Sequence, residues 1–212
     1  MASPETFYSE AGDGHVYKTG AVYFTVHDAA TGEAAVTVSD YITMRNQWKD
    51  TPIYQLHRSF LKFDTSGLPD DCNITGATLS IYGRLDHVLE DDAGHSDGCI
   101  YEGTQGVGLT TIDFDAFGAV LLTAGAYSYG YPIVTNDYTA AALNAAGLAI
   151  INKTGMTYFC LRTKGDVDRI APTGKNQMDF WASDKGAGFK PKLVVTYTEA
   201  GVVGRSFGYI IG

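Results

Sequence analysis

The sequence has little cysteine and no long apolar run, and each absence excludes a class of protein. Cys72, Cys99 and Cys160 are its only cysteines. Three is too few, and odd, for a disulfide framework, so at most one bridge could form and three buried free thiols are the simpler expectation. No apolar run approaches the roughly 18 residues of a transmembrane helix, so we expect no membrane insertion. The start, MASPETFYSE, has no apolar signal-peptide core, so no signal peptide is visible in this chain.

Charge is also scarce, and it is biased towards acid. Charged residues make up 18% of the chain, below the share of about 25% in typical soluble domains. The formal net charge is −9, and the lysines and arginines are scattered without a basic run. This pattern argues against binding to nucleic acid or to anionic lipid. It also leaves neutral surface that a partner could cover.

The motifs of common catalytic sites are missing as well. The chain contains no GxSxG, HExxH, CxxC or phosphate-loop pattern. A glycosidase-like carboxylate pair stays open at this stage, although no two acids stand in apolar surroundings. We therefore predict that the protein is not an enzyme. The sequence establishes no cofactor.

What the sequence does have is a set of short alternating strands, clearest within His57–Gly83. Leu61 and Phe63 share one face of a first strand, and Leu79 and Ile81 share one face of a second. This period of two is typical of half-buried strands. The connector between them is rich in Asp, Ser, Gly, Pro and Asn, and it is long enough to cross from one sheet to another.

Runs of the same kind recur along the chain, which has 25 glycines to mark turns. We predict a helix over Ala145–Asn152, with Asn144 as its N-cap and Gly155 as its stop. The fold class is therefore all-β: a two-sheet antiparallel β-sandwich, jelly-roll-like, with one short helix. The further core residues expected are Phe159, Leu161, Leu193 and Val195. The other predicted strands are Val16–Val26 with a break at Gly20, Ala35–Ile42, Ile100–Glu102, Val120–Leu122, Asp137–Ala142, Thr157–Arg162, Met178–Ala182 and Lys192–Thr198.

Several blocks of the chain resemble the DNRLRE-type domain family. The block HRSFLKFDTSGLPDDCNITGATLSIYG resembles the core signature of that family, and the resemblance continues in four further blocks: Asp13–Tyr17, Tyr101–Gln105, Leu143–Gly155 and Pro191–Tyr197. The family is similar to carbohydrate-binding jelly-roll modules, and it occurs in extracellular modular proteins and in phage-like structural proteins. The resemblance implies a β-sandwich without chemistry of its own.

The resemblance and the strand pattern together divide the chain into three parts. Residues 1–12 are expected to form an N-terminal arm, and residues 13–198 the jelly-roll-like sandwich. Residues 199–212 form an apolar, Gly-rich tail. We expect the protein on a virion or on an extracellular or cell surface.

Exposed aromatic rings are candidates for glycan binding, because they stack on the apolar faces of sugars while polar neighbours bind the hydroxyls. Trp48 is the best candidate, since it follows Arg45, Asn46 and Gln47 in a predicted loop over Arg45–Pro52. For Trp181 and two of the three tyrosines at 127, 129 and 131, the alternative is that the rings pack inside the sandwich. The other candidate rings are Tyr127, Tyr129, Tyr131 and Trp181.

The most acidic segment, DHVLEDDAGHSDG at Asp86–Gly98, is a candidate calcium loop. Asp91, Asp92 and Asp97 could supply oxygen ligands, and a bound ion would relieve the repulsion between clustered carboxylates. The spacing does not match an EF-hand, and a solvated acidic loop is the alternative.

The tail carries the strongest signal for a partner. Soluble monomers avoid exposing apolar surface of this kind. The tail is therefore expected either to pack on its own domain or to dock on a neighbouring copy or another structural protein, and we favour the second. The candidate interface residues are Val202, Val203, Phe207, Tyr209, Ile210 and Ile211.

Two functions fit these observations. The first is a non-enzymatic structural, decorating or adhesion subunit of a virion or extracellular surface assembly. The second is a glycan-binding module of a secreted hydrolase or adhesin.

Overall fold

A computed structural model describes residues 2–49, 53–124 and 137–199, and these residues form an all-β sandwich. Three short α-helices and two 3-10 helices join the strands. The strands are β1 (Ala2–Tyr8), β2 (Gly14–Gly20), β3 (Ala34–Val36), β4 (Tyr41–Lys49), β5 (Ile53–Asp64), β6 (Asn73–Glu90), β7 (Gly98–Gly103), β8 (Phe117–Leu121), β9 (Tyr138–Ala142), β10 (Met156–Thr163), β11 (Lys175–Trp181) and β12 (Lys192–Thr198). The α-helices are α1 (Tyr23–His27), α2 (Ala145–Ala149) and α3 (Lys164–Val167), and the 3-10 helices are Thr111–Asp115 and Ser183–Lys185.

The strands pair antiparallel in two layers that β6 connects. The first layer has the order β1-β12-β6-β9. The second contains β11, β4, β5, β10, β7 and β8, with the β2–β3 hairpin against β5. β6 belongs to both, because its first half pairs with β12 and β9 and its second half pairs with β11. The hydrogen-bonded path runs from β1 to β8, and the sheet is open rather than closed into a barrel.

The main core lies between the two layers, and the predicted core residues are all in it. Each of them is completely buried. Burying a side chain of this size contributes about 1.5–3 kcal/mol, so the alternation in β5, β6, β10 and β12 accounts for much of the stability of the sandwich. These residues are Leu61, Phe63, Leu79, Ile81, Phe159, Leu161, Leu193 and Val195.

A second core covers the opposite side of β5 and β10. Val16 from β2, Val26 from α1 and Phe114 from the first 3-10 helix pack there against Phe60 and Cys160. β5 and β10 are therefore buried on both faces, which explains their nearly continuous apolar runs. The alternation in the sequence predicted burial only for the face of each strand that points to the main core.

All three cysteines are buried and free, in agreement with the expectation of free thiols. Burial raises the pKa of Cys99 to about 11 and that of Cys160 to about 12. Both thiols therefore remain protonated at neutral pH, and both serve the fold as small apolar groups.

Residues expected as an N-terminal arm are instead part of the first layer. β1 pairs along its whole length with β12, and Phe7 belongs to the main core. Its sequence, ASPETFY, contains a proline, which is compatible with a strand at the edge of a sheet. The boundary drawn at residue 12 is therefore corrected.

Three local predictions also need correction. The run Val16–Val26 is not strand throughout: β2 ends at Gly20 and α1 follows. The segment Ala35–Ile42 is split between β3 and β4, and the predicted loop Arg45–Pro52 is strand as far as Lys49. Helices of four or five residues are too short to show a helical period, so one helix was expected where the described residues contain three.

The predicted helix α2 is present and capped as expected, although it ends at Ala149 rather than at Asn152. Asn144 Oδ1 accepts a hydrogen bond of 3.0 Å from Gly147 N. No helix among the described residues has the length and apolarity needed to cross a membrane.

Candidate functional site

The end of the β4–β5 hairpin presents two aromatic rings side by side. Trp48 and Tyr54 are directly opposite each other in the antiparallel register, an arrangement that places both side chains on the same face. Trp48 is 37% exposed, and Tyr54 is partly buried. The Tyr54 ring also packs edge-on against Tyr23 of α1, with 5.5 Å between the ring centroids. The hairpin therefore forms a supported aromatic surface.

The loop that leads into β11 completes an open cleft beside these rings. Pro172 and Thr173 line it together with Trp48 and Tyr54, and its volume is about 320 Å³. This loop is joined to β4 by a backbone hydrogen bond of 2.9 Å from Trp48 N to Gly174 O. Two aromatic rings, a proline and a hydroxyl are thus collected on one concave surface.

Asp92 fixes the polar wall of the cleft. Its carboxylate accepts hydrogen bonds from Thr173 N at 2.9 Å, from Gly174 N at 3.2 Å and from Asn176 Nδ2 at 2.7 Å. It also accepts one from the Thr173 hydroxyl. Burial alone would raise the pKa of Asp92, but these hydrogen bonds outweigh that effect and lower it. Because the Thr173 hydroxyl donates to Asp92, its oxygen is left to accept a hydrogen bond from a ligand.

The acidic segment supports this loop, and its described side chains form no ligand set for a metal. Asp91 Oδ2 accepts a hydrogen bond of 2.7 Å from Lys175 N. A Cβ on Gly174 would lie 2.3 Å from Asp91 Cβ, so only glycine allows this close approach. No group of three or more His, Cys, Asp or Glu side chains in the described parts of the chain could hold a metal ion. Asp91, Asp92 and Asp97 are thus not brought together for calcium.

Arg45 and Gln47 do not line the cleft, contrary to their expected place beside Trp48. Successive side chains on a strand point to opposite faces, so both lie on the face away from the tryptophan. There Arg45 Nη1 and Gln47 Nε2 donate to Gln55 Oε1 at 3.0 and 2.9 Å. Gln47 is buried.

Trp181 forms a separate aromatic group at the other end of β4. It is opposite Tyr41 in the register, roughly 23 Å along the strand from Trp48. Lys185 Nζ lies 4.2 Å from the Trp181 ring, and the guanidinium of Arg84 lies 5.4 Å from it. These two cations cover the ring and leave it a poor platform for a sugar. Tyr127, Tyr129 and Tyr131 lie outside the described residues.

A buried ion network that joins β5, β10 and α3 was not predicted from the sequence. Arg58 and Arg162 each donate two hydrogen bonds to the Asp166 carboxylate, at 2.6 to 3.0 Å. Burial alone would raise the pKa of Asp166, but the two guanidiniums hold it well below its usual range. Phe114 and Phe117 stack on the guanidiniums, with 4.3 Å from Arg58 to Phe114 and 4.1 Å from Arg162 to Phe117. The network ties α3, which precedes the cleft loop, to β5 and β10.

A stack of three rings lies on the same face as Arg45. His57 is stacked on Tyr17 and tilted against His15, with centroid distances of 5.0 and 4.9 Å. Neither ring nitrogen of His57 has a hydrogen-bond partner among the described residues. Burial, followed by the charge of Arg45, lowers the pKa of His15 to about 4, and burial lowers that of His57 well below its usual value. Both histidines are therefore neutral at physiological pH.

Comparisons with protein-family models and with curated proteins find no match for this chain. The site must therefore be interpreted from its own geometry.

Proposed function

We propose that the protein is a non-enzymatic adhesion module that binds a glycan in the cleft formed by Trp48, Tyr54, Pro172 and Thr173. The observation that carries this proposal is the pair of aromatic rings, one of them more than a third exposed, beside a fixed hydroxyl. Aromatic rings supply the apolar surface on which a sugar ring stacks. The cleft volume of about 320 Å³ falls at the lower end of the range of roughly 300–1,000 Å³ for ligand sites, which favours a terminal sugar over a long chain.

The charge of the surroundings narrows the class of glycan. The protein has a formal net charge of −9, and Asp91 and Asp92 support one wall of the cleft. An anionic sugar would be repelled by these groups. We therefore propose a neutral glycan as the ligand, displayed on a host or cell surface.

Retention on immobilised polysaccharides, or on a glycan array, tests the proposal. Trp48→Ala should abolish retention, because it removes the largest apolar surface of the cleft, and it should leave the melting temperature nearly unchanged. Trp181→Phe is the matched control and should be retained like the wild type. Undiminished retention of Trp48→Ala, or a preference for sialylated or sulfated glycans, would contradict the proposal.

A second candidate function is a structural or decorating subunit of a virion or extracellular surface assembly. It is favoured by the two ends of the sheet, since β1 and β8 each have one side without a strand partner among the described residues, and such edges can pair with another chain. Light scattering on the purified protein over a range of concentrations tests it. A monomer at every concentration would count against self-assembly through these edges.

The DNRLRE-type family remains our proposed family for the chain. Its support is the order of the sequence blocks, and a β-sandwich of the kind described above is what membership would imply. Placement on a virion or extracellular surface is part of the same proposal.

A further inference from the structure

A second concave surface, which shares no lining residue with the aromatic cleft, lies between the start of β6 and α2. Its volume is about 430 Å³. Lys153 closes one side, with Nζ donating a hydrogen bond of 3.1 Å to Cys72 O. Asn73 and Lys153 supply the polar part of the lining, and the apolar part comes mainly from Cys72, Ile74, Leu148, Ala149 and Ile151.

The helix that forms one wall of this groove is held firmly in place. Asn144 Nδ2 donates to Leu121 O at 2.9 Å and to Thr123 O at 2.8 Å. Gly147 is buried, and a Cβ there would lie 2.8 Å from Leu122 O. α2 is therefore packed closely against the residues that follow β8.

The last described strand ends at the edge of the groove. Tyr197 and Thr198 of β12 are opposite Ile74 and Asn73 of β6. Tyr197, Ile74 and Leu148 are all partly buried and pack on the margin of the main core. The chain therefore leaves the sheet directly beside the exposed apolar wall.

The residues that follow have the composition needed to cover this wall. After Glu199 the only charged residue is Arg205, and the sequence GVVGRSFGYIIG contains six large apolar side chains. Twelve residues could span roughly 40 Å when extended, so length does not limit contact with the groove. Gly201 and Gly204 can adopt the backbone conformations required for the chain to turn back.

We propose that residues 201–212, which lie outside the described residues, dock in the groove between β6 and α2 of their own chain, rather than on a neighbouring molecule as the sequence alone favoured. A segment tethered at the edge of its binding site has a high effective concentration there, which favours the chain's own groove over that of a second copy. Docking would bury the apolar side chains of the tail together with Ile74 and Leu148. The proposal uses none of the residues of the aromatic cleft and does not depend on glycan binding.

Tryptic cleavage after Arg205 tests the proposal, because Arg205 is the only trypsin site after Lys192. The full chain is digested briefly with dilute trypsin, and release of residues 206–212 is followed by mass spectrometry. A synthetic peptide of residues 199–212 gives the unprotected rate. When the tail leaves and re-enters the groove faster than trypsin cuts it, the cleavage rate is proportional to the fraction of molecules with a free tail. The wild type should therefore be cut at least about tenfold more slowly than the peptide.

Two variants and a dilution series separate the possible outcomes. Ala149→Glu places a charge in the groove at an exposed position and should restore cleavage at nearly the peptide rate. Val38→Glu is the control, because it adds the same charge outside the groove, at a residue that is 89% exposed. In this variant the bond after Arg205 should stay protected from trypsin. Protection that is unchanged on hundredfold dilution supports docking within one chain. Protection lost on dilution would place the tail on another copy, and an unprotected wild type would show that it does not dock; either result overturns the proposal.

Discussion

At the scale of single residues, the buried ion network depends on one carboxylate. Asp166 has no exposed surface and neutralises two arginines that are almost completely buried. The sequence contained a signal for this network: Arg58 interrupts an apolar strand, and Arg162 ends another. The pattern could not show that both arginines meet one carboxylate, because Asp166 is more than a hundred positions from Arg58.

Asp166→Asn should lower the free energy of unfolding by about 3–5 kcal/mol, because it leaves buried guanidiniums without a counter-charge. Asp115→Asn is the matched control. Asp115 also contacts Arg58, at 3.4 Å, but its side chain is 60% exposed, and an exposed pair contributes at most about 1 kcal/mol. Urea unfolding of both variants provides the comparison, and equal effects would contradict the role assigned to Asp166.

The stacked histidines should make the protein less stable in acid. Histidine in an unfolded chain has a pKa of about 6.5, whereas that of His15 in the folded state is lowered to about 4 and that of His57 is lower than usual as well. Below pH 6.5 the unfolded chain therefore binds protons first, and stability falls as the pH falls from 6.5 towards 4. The titration of His15 alone should lower the free energy of unfolding by roughly 3 kcal/mol over this range.

The variant His57→Phe tests this dependence, since it keeps a ring against Tyr17 and removes one titrating group. Its free energy of unfolding, measured by urea titration at several pH values between 7.5 and 4, should fall less steeply than that of the wild type. Identical slopes for the two proteins would show that His57 does not contribute.

At the scale of secondary-structure elements, strand alternation decides which polar residues belong to the candidate site. Trp48 was selected correctly as an exposed ring, but Arg45 and Gln47 were grouped with it because the segment was interpreted as a loop. In β4 they point to the other face. β1 shows the opposite error, since its short, polar sequence gave no sign of the strand β12 beside it. The partner of β1, β12, is almost two hundred positions away, whereas β4 pairs both with the adjacent β5 and with the distant β11.

The two faces of β1 give a direct test of its place in the sheet. Phe7 is 9% exposed and packs in the main core, whereas its neighbour Tyr8 is 50% exposed. Phe7→Ala should reduce stability by about 3–5 kcal/mol through loss of burial and the cavity left behind. Tyr8→Ala should change it by no more than about 0.5 kcal/mol. Thermal melts of the two variants are sufficient, and equal melting temperatures would mean that β1 is an arm after all.

At the scale of the whole molecule, the sequence predicted the sandwich and its main core but not the covering of its second face. Alternating residues such as Leu79 and Ile81 report one buried face, and that face is correct. Phe60 and Cys160 are buried on the opposite face by α1, the β2–β3 hairpin and the first 3-10 helix. α1 and the 3-10 helix have five residues each, too few to show a period of their own, so the second core could not be derived from pattern alone.

The fluorescence of Trp48 during a glycan titration shows directly whether the cleft is the binding site. Trp48 and Trp181 are the two tryptophans of the chain, so a Trp181→Phe variant reports on the cleft alone. A neutral glycan that the protein retains should change the Trp48 emission saturably, and the same glycan should leave the Trp181 emission of a Trp48→Phe variant unchanged. A glycan that binds without altering the Trp48 emission would place the binding site elsewhere and contradict the account.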